Sequence, residues 1–237
     1  WVGFKQFDQI AIDPNYYPQW RPSIKPHLKQ ECVAFFSQLL HNDLSCLNIL
    51  DSDFVTVNQR LGEHYGVEGV GGLNFSRVRA PEGRGGVLTQ AAVLLAYSNG
   101  QDAHAVNRGV WVRSRLLGDP VREPPPDVPA LADQDEAEVD ALSIKQRLEK
   151  HRVGTCYDCH KDVDPWGVAM EGYDAIGLKR NEILKLSTQN RGRKRLPVVQ
   201  NVEIDGHKID GLAELKKYLR EHRQDDFAYG FTRHMLS

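Results

Sequence analysis

Cys156-Tyr157-Asp158-Cys159-His160 is the stretch on which the fold of this chain turns. Two cysteines three residues apart lie on one side of a helical turn, from which both can reach the vinyl groups of a haem, and the adjacent histidine then falls beneath the iron. Cys-x-x-Cys-His is the attachment sequence of c-type haem, where thioether bonds fix the macrocycle and an imidazole helps to set its potential. The expected cofactor is therefore haem c and its iron, held by Cys156, Cys159 and His160. Two other chemistries use Cys-x-x-Cys. A thioredoxin-like site sits in a βαβ setting, whereas the segment ahead of Cys156 reads as a charged helix; a zinc site asks for a second pair of close ligands, which is absent.

Working outward, Trp166, Tyr173 and Ile176 follow closely enough to wall the haem, or to serve as ordinary core. Arg180 offers a guanidinium that matches a propionate bidentately, or a surface cation. The second axial position stays open between histidine, methionine and no protein ligand, each with a different function. His234 falls seven residues after Phe227 and three after Phe231, so all three share one helical face. An imidazole among phenylalanines suits a haem pocket, and suits a core histidine equally. Met235 is its neighbouring alternative. Met170 lies ten residues past His160 and needs a tight loop through Asp164-Pro165-Trp166-Gly167 to reach the opposite haem face. His64 and His104 are outsiders. No residue is assigned a catalytic role, since His104, Glu171 and His234 are available as acid–base groups but spacing marks none of them.

Helical spacing predicts helices over Ile24–Leu40, Phe54–Tyr65 (ended by Gly66), Val87–Tyr97, Val106–Leu117, Val139–Arg152, Leu212–His222 and Asp225–Leu236. Val87–Tyr97 is apolar nearly all round and should be central. The glycine-rich stretch Gly66–Gly86 reads as loop or short strands. Leu196–Ile204 alternates as a strand does, and Asp205-Gly206 is a hairpin signal leading into Lys208 and Ile209. Pro120–Pro129 holds five prolines, followed by the acidic stretch Asp133–Asp140. The expected organisation is a helical domain over 1–119, a Pro-rich and acidic linker over 120–134, and a c-type haem domain over 135–237. The expected fold class is mainly α, a helical N-terminal region followed by a cytochrome c-like helical domain with a small β-hairpin.

With 237 residues, the chain can bury a core without disulfide or metal staples, so a cofactor here is functional. No apolar run approaches a membrane span. A formal net charge of -2 gives no general attraction to nucleic acid. Basic residues gather at Arg191, Arg193, Lys194 and Arg195, as a solvated loop or as a docking patch for an acidic redox partner. If haem is attached, the protein matures in an oxidising compartment, where Cys32 and Cys46 form either a disulfide or two buried thiols. The first residues are not a signal peptide, and both ends look cut from something longer, so an export signal would lie upstream.

Several stretches, taken in order, resemble the large planctomycete-type exported cytochromes whose central and C-terminal domains were catalogued as domains of unknown function. They are Asp53-Phe54-Val55-Thr56-Val57-Asn58 through His64-Tyr65-Gly66, Arg84-Gly85-Gly86-Val87-Leu88-Thr89-Gln90, Asn107-Arg108-Gly109-Val110-Trp111, Pro124-Pro125-Pro126-Asp127-Val128-Pro129, and Cys156 through Gly177. In that family the haem motif is followed by Asp-Pro-x-Gly, here Asp164-Pro165-Trp166-Gly167, and by a Phe-Asp-Ala-Ile-Gly-like segment, here Tyr173-Asp174-Ala175-Ile176-Gly177. The family often has leucine where this chain has Met170. The resemblance implies a multidomain secreted or periplasmic protein with another cytochrome module upstream.

The expected function is electron transfer in the cell envelope by a cytochrome with one covalent haem, as part of a larger protein or complex. Its partners would be redox proteins, other cytochrome modules among them, with no nucleic acid and no transmembrane segment in this chain. The alternative is a haem-dependent oxidoreductase, peroxidase-like or oxidative, acting on an extracellular substrate through an open iron position. The Thr89-Gln90, Asn99 and Arg108-Gly109 residues would either line a haem-facing surface or serve packing and turns.

Overall fold

A computed structural model describes residues 1–122, 142–151, 155–186 and 192–236, with Lys150, His151, Thr155 and Cys156 described in backbone only. Most of the expected linker, and the whole acidic stretch Asp133–Asp140, lie outside the described residues. The chain forms two compact units. The first comprises Trp1–Ala103, Tyr173–Leu178 and Lys216–Gln224; the second comprises His104–Gly172, Lys179–Leu215 and Asp225–Ser237.

In the first unit, α1 (Phe4–Gln9) and α2 (Lys25–His41) precede a strand, β1 (Phe54–Val57), and α3 (Gln59–Tyr65). Pro26 sits in the first turn of α2, where its missing N–H costs no helical bond. The buried stripe of α2 is Leu28, Cys32, Phe35 and Leu39, while Val33 and Leu40 face outward. Phe54–Val57 is not part of a helix, contrary to the sequence-based expectation. Phe-Val-Thr-Val is aromatic and β-branched, all four residues are buried, and they pair antiparallel with β2 (Ser76–Arg79). The helix starts only at Asn58, whose side chain accepts the Leu61 N–H at 3.1 Å, and ends at Gly66 in the left-handed conformation. At the centre lies α4 (Ala91–Ala96), with all six residues buried, as its uniformly apolar sequence requires. It packs with Phe7, Leu28, Val57 and Leu61.

In the second unit, α5 (Ala105–Trp111) runs on as a π-helical stretch to Leu116. It packs against α7 (Thr155–Val168), and α6 (Ile144–His151) adds Leu148 to the core around Ala105 and Val168. The rest is strand hairpins and helix: β3 (Glu182–Leu186) with β4 (Arg193–Pro197), β5 (Asn201–Ile204) with β6 (His207–Asp210), then α8 (Gly211–His222), whose residues from Lys216 on belong to the first unit, and α9 (Gln224–Met235). The hairpin at Asp205-Gly206 forms as expected. The single strand expected over Leu196–Ile204 is two strands of separate hairpins, because β4 ends at Pro197, which has no N–H to offer a ladder.

The described residues form three two-stranded antiparallel sheets among their helices, so the chain is mixed α/β and not mainly α. The sequence signal for β1 and β3 was weak because each strand is only four or five residues long. No helix among the described residues is long and apolar enough to cross a membrane.

Candidate functional site

The Cys-x-x-Cys-His motif lies on α7, and the physical question is what holds that helix and aims its histidine. Cys156, His160 and Asp164 are spaced i, i+4, i+8 and share one face, with Cys159 beside them. Cys159 is an exposed free thiol. Cys156 is placed on the helix by its backbone alone, so its side chain lies outside the described residues.

His160 Nδ1 lies 2.9 Å from Asp164 Oδ1, one helical turn further on. The His160 side chain is 18% exposed and that of Asp164 0%. An ionised carboxylate can only accept, so this contact favours the proton on Nδ1, and in a neutral ring the lone pair is then on Nε2. That tautomer is the one an iron ligand needs. A thiol and an Nδ1-anchored imidazole on successive residues fit the donor set of a c-type haem. Among the described residues no three His, Cys, Asp or Glu side chains gather as a protein-only metal site would require.

Helix α7 is held by close backbone approach to α5. A Cβ on Gly167 would lie 1.7 Å from the carbonyl oxygen of Ala105, and one on Gly109 would lie 2.3 Å from that of Val163. Both positions must be glycine for the two helices to touch at this distance. Arg108, buried on α5, donates to the Met170 carbonyl at 3.1 Å just beyond the end of α7. Trp166 is buried in the same unit.

The segment Asp164-Pro165-Trp166-Gly167, which Met170 would need as a tight loop, is helical: α7 continues through Val168 with Pro165 inside it. The route that would have carried Met170 back to an opposite haem face is therefore absent. Met170 is fully buried just past the helix. Arg180 is 10% exposed and is engaged by Glu171, its Nη2 at 2.6 Å from Oε2 and its Nε donating to the Glu171 carbonyl at 2.9 Å. Both residues offered as haem or acid–base groups thus hold the turn that follows α7.

His234 is half-buried on α9, where Phe227 and Phe231 stack with ring centroids 5.8 Å apart. It lines a cleft with Ser114, Arg115, Gly118, Pro120 and Arg233, none of which belongs to α7. Burial, and then the Arg115 charge, lower its pKa from the ordinary histidine value. Met235 is exposed. His104 caps α5 through the Asn107 N–H at 3.3 Å. Cys32 is a buried free thiol and Cys46 an exposed one, so the two form no disulfide. Arg193, Lys194 and Arg195 stand on the exposed strand β4, with Arg195 3.1 Å from Glu182, instead of in a loop.

The first unit gathers the stretches around His64-Tyr65, Arg84–Gln90 and Tyr173–Gly177 singled out in the sequence. Tyr173 donates to the Gly83 carbonyl, and its hydroxyl is pushed up to about 12 by burial. Arg84 lies 3.6 Å over the Tyr65 ring and donates to the carbonyls of Thr89 (2.9 Å) and Gly177 (2.8 Å). His64 Nε2 meets the Ile176 carbonyl at 2.9 Å, and burial lowers its pKa. Asp174 Oδ1 accepts from the N–H groups of Ile176 and Leu178, closing the turn. These contacts explain Tyr173 and Ile176 as packing residues of their own unit. Tyr65 donates to Glu31 Oε2 at 2.7 Å, and burial pushes the Glu31 carboxyl up to about 8.

Asp164 was read in the sequence only as part of the Asp-Pro-x-Gly segment, and its place one helical turn after His160 was the signal for its contact with the imidazole. Arg108, expected either to line a haem-facing surface or to serve packing, is buried and donates to the Met170 carbonyl.

No curated protein and no solved structure matches the chain. Residues 84–183, which include Arg84–Gly86, Asn107–Trp111 and the Cys-x-x-Cys-His helix, match PSCyt3, described as a protein of unknown function (DUF1588). Residues 1–67 match PSD4, described likewise (DUF1592). The chain is thus similar, in order, to two families associated with planctomycete-type cytochromes, PSD4 and then PSCyt3.

Proposed function

We propose that this chain is a c-type cytochrome module that carries one haem and transfers electrons in the cell envelope as part of a larger protein or complex. The observation that carries this is the helix α7: Cys156, Cys159 and His160 in the attachment pattern, with His160 Nδ1 already bound to a buried carboxylate. Cys156 and Cys159 would hold the macrocycle through thioethers, and His160 Nε2 would bind its iron. When bound, haem supplies a reversible one-electron couple.

The chain's own residues do the rest. Asp164 fixes the tautomer and the plane of the His160 ring. Gly109 and Gly167 let α5 press against α7, so the ligand is mounted on a rigid helix pair and not on a loop. Trp166 is buried near the C-terminal end of α7. His234 is the proposed second ligand, because it lies half-buried on the same face of α9 as Phe227 and Phe231. Thioether attachment implies maturation in an oxidising compartment, so we place the protein in the periplasm or outside the cell. Its partners would be one-electron redox proteins.

The test is an absorption and EPR spectrum of oxidised and reduced protein, with and without carbon monoxide, beside a His234→Ala variant. Electron transfer predicts a low-spin haem that ignores carbon monoxide and becomes high-spin in the variant. A high-spin haem that binds carbon monoxide in the parent protein would instead indicate a haem-dependent oxidoreductase with an open iron position.

A further inference from the structure

We propose that Asp164 is a positioning residue that lowers the potential of the haem by acting through His160; the inference rests on the haem function proposed above. The Nδ1 of a ligating histidine is ordinarily held by a carbonyl, a water or a carboxylate, and which of these it meets sets the basicity of the metal-bound nitrogen. Here it meets the strongest of the three.

The geometry makes the contact persistent. His160 and Asp164 are one turn apart on the same helix, so the carboxylate lies against the ring whatever the surrounding loops do. The Asp164 side chain is wholly shielded from water, and that of His160 is 18% exposed. Water therefore does not compete at the carboxylate, and the charge-assisted bond is stronger than it would be at the surface. The helix itself is pinned against α5 by the Gly109 and Gly167 contacts, so the backbone that carries both groups is held in place.

A buried carboxylate pulling on the Nδ1 proton pushes electron density onto Nε2. That makes His160 a stronger donor, and a stronger donor stabilises ferric iron more than ferrous iron. The Nδ1 proton stays between the two residues; no proton is lost in this account. The haem is thereby set to give up its electron readily, which places the module on the donating side of its exchange with a one-electron partner.

The experiment compares the haem-loaded full chain with Asp164→Asn, which keeps the shape and a carbonyl acceptor but removes the charge, and with Asp164→Glu, which restores the charge. Haem content is measured first, by the pyridine haemochrome spectrum. The midpoint potential is then titrated spectroscopically, and the largest EPR g value of the ferric form is recorded. Asp164→Asn is expected to shift the ferric-to-ferrous balance at least about tenfold toward ferrous, a rise of about 59 mV for a one-electron couple. Its largest g value should increase, and Asp164→Glu should move both readings back toward the parent. If Asp164→Asn cannot hold haem, nitrogen-edited NMR of the reduced parent protein decides. A His160 Nδ1 proton far downfield of a carbonyl-bonded imidazole supports the proposal, and one at the carbonyl-bonded position overturns it. A haem-loaded Asp164→Asn with unchanged potential and g values also overturns it. A parent protein that takes up no haem overturns the proposed function itself, and this inference with it.

Discussion

Gly167 of α7 lies so close to Ala105 of α5 that a Cβ built on it would sit 1.7 Å from the Ala105 carbonyl oxygen. Backbone, and not a flexible side chain, is what such a methyl would meet. Gly167→Ala should therefore push the two helices apart and cost about 3 kcal/mol or more, at or above the upper end of ordinary overpacking. Gly71→Ala, in open space, should stay within about 0.5 kcal/mol of the parent protein. Denaturant titration of both variants checks this, and equal midpoints would contradict the packing of α5 on α7.

Glu31 gives the first unit a pH dependence of definite sign. Burial raises its folded-state pKa from 4.5 to about 8, although the Tyr65 hydroxyl and Arg84 work against the rise. Below pH 4.5 the carboxyl is protonated in both folded and unfolded chains. Between pH 4.5 and about 8 the unfolded chain loses the proton while the folded one keeps it, so stability falls as pH rises, by an order of a few kcal/mol in all. Glu31→Gln, which retains an acceptor for Tyr65, should flatten that slope and be the more stable form at pH 8. Thermal melts across this range read the difference, and parallel curves for the two proteins would contradict it.

Arg180 and Glu171 form a pair whose members are 10% and 1% exposed. Removing the cation leaves a carboxylate stranded without its charge partner, a change that costs roughly 3–5 kcal/mol in buried pairs. Arg180→Ala should destabilise the second unit by that amount, and Glu171→Gln on the same background should recover part of it. A double-mutant cycle measures the coupling. Additive effects would show that the two side chains do not sense each other.

Arg84 is fixed by two carbonyls and a ring, a fork that lysine cannot reproduce. Arg84→Lys should cost about 1–3 kcal/mol through carbonyls left without a donor, with no change in the haem spectrum if Arg84 serves only the first unit. A spectral change would assign it a role at the haem.

Much of this was legible in the sequence. Wherever an apolar stripe ran for several turns, as in α2 or the two closing helices, period and length agreed with the helix found. The Gly66 stop was readable too, but Phe54–Val57 shares its apolar character with α3 and was absorbed into it, and the Asn58 cap between them went unread. Short strands escape for this reason: four residues give no period to count. The attachment motif declared its residues outright, because thioether chemistry fixes their spacing. The roles of Tyr173, Arg180 and Glu171 could not be read, since what decides them is a partner distant in sequence: Gly83 for Tyr173, and a turn-spanning pair for the other two. The contact of Asp164 with His160 went unread because the helix was not followed past the attachment motif, although it continues through Pro165 to Val168.

The covalent haem is tested most directly by maturing the chain in a compartment equipped for c-type haem attachment, then denaturing it, extracting with acidic solvent and weighing the product by mass spectrometry. The account predicts a mass gain of one haem that survives extraction in the parent protein and disappears when Cys156 and Cys159 are both replaced by alanine. A parent chain that emerges at its bare polypeptide mass, or whose haem extracts freely, would contradict it.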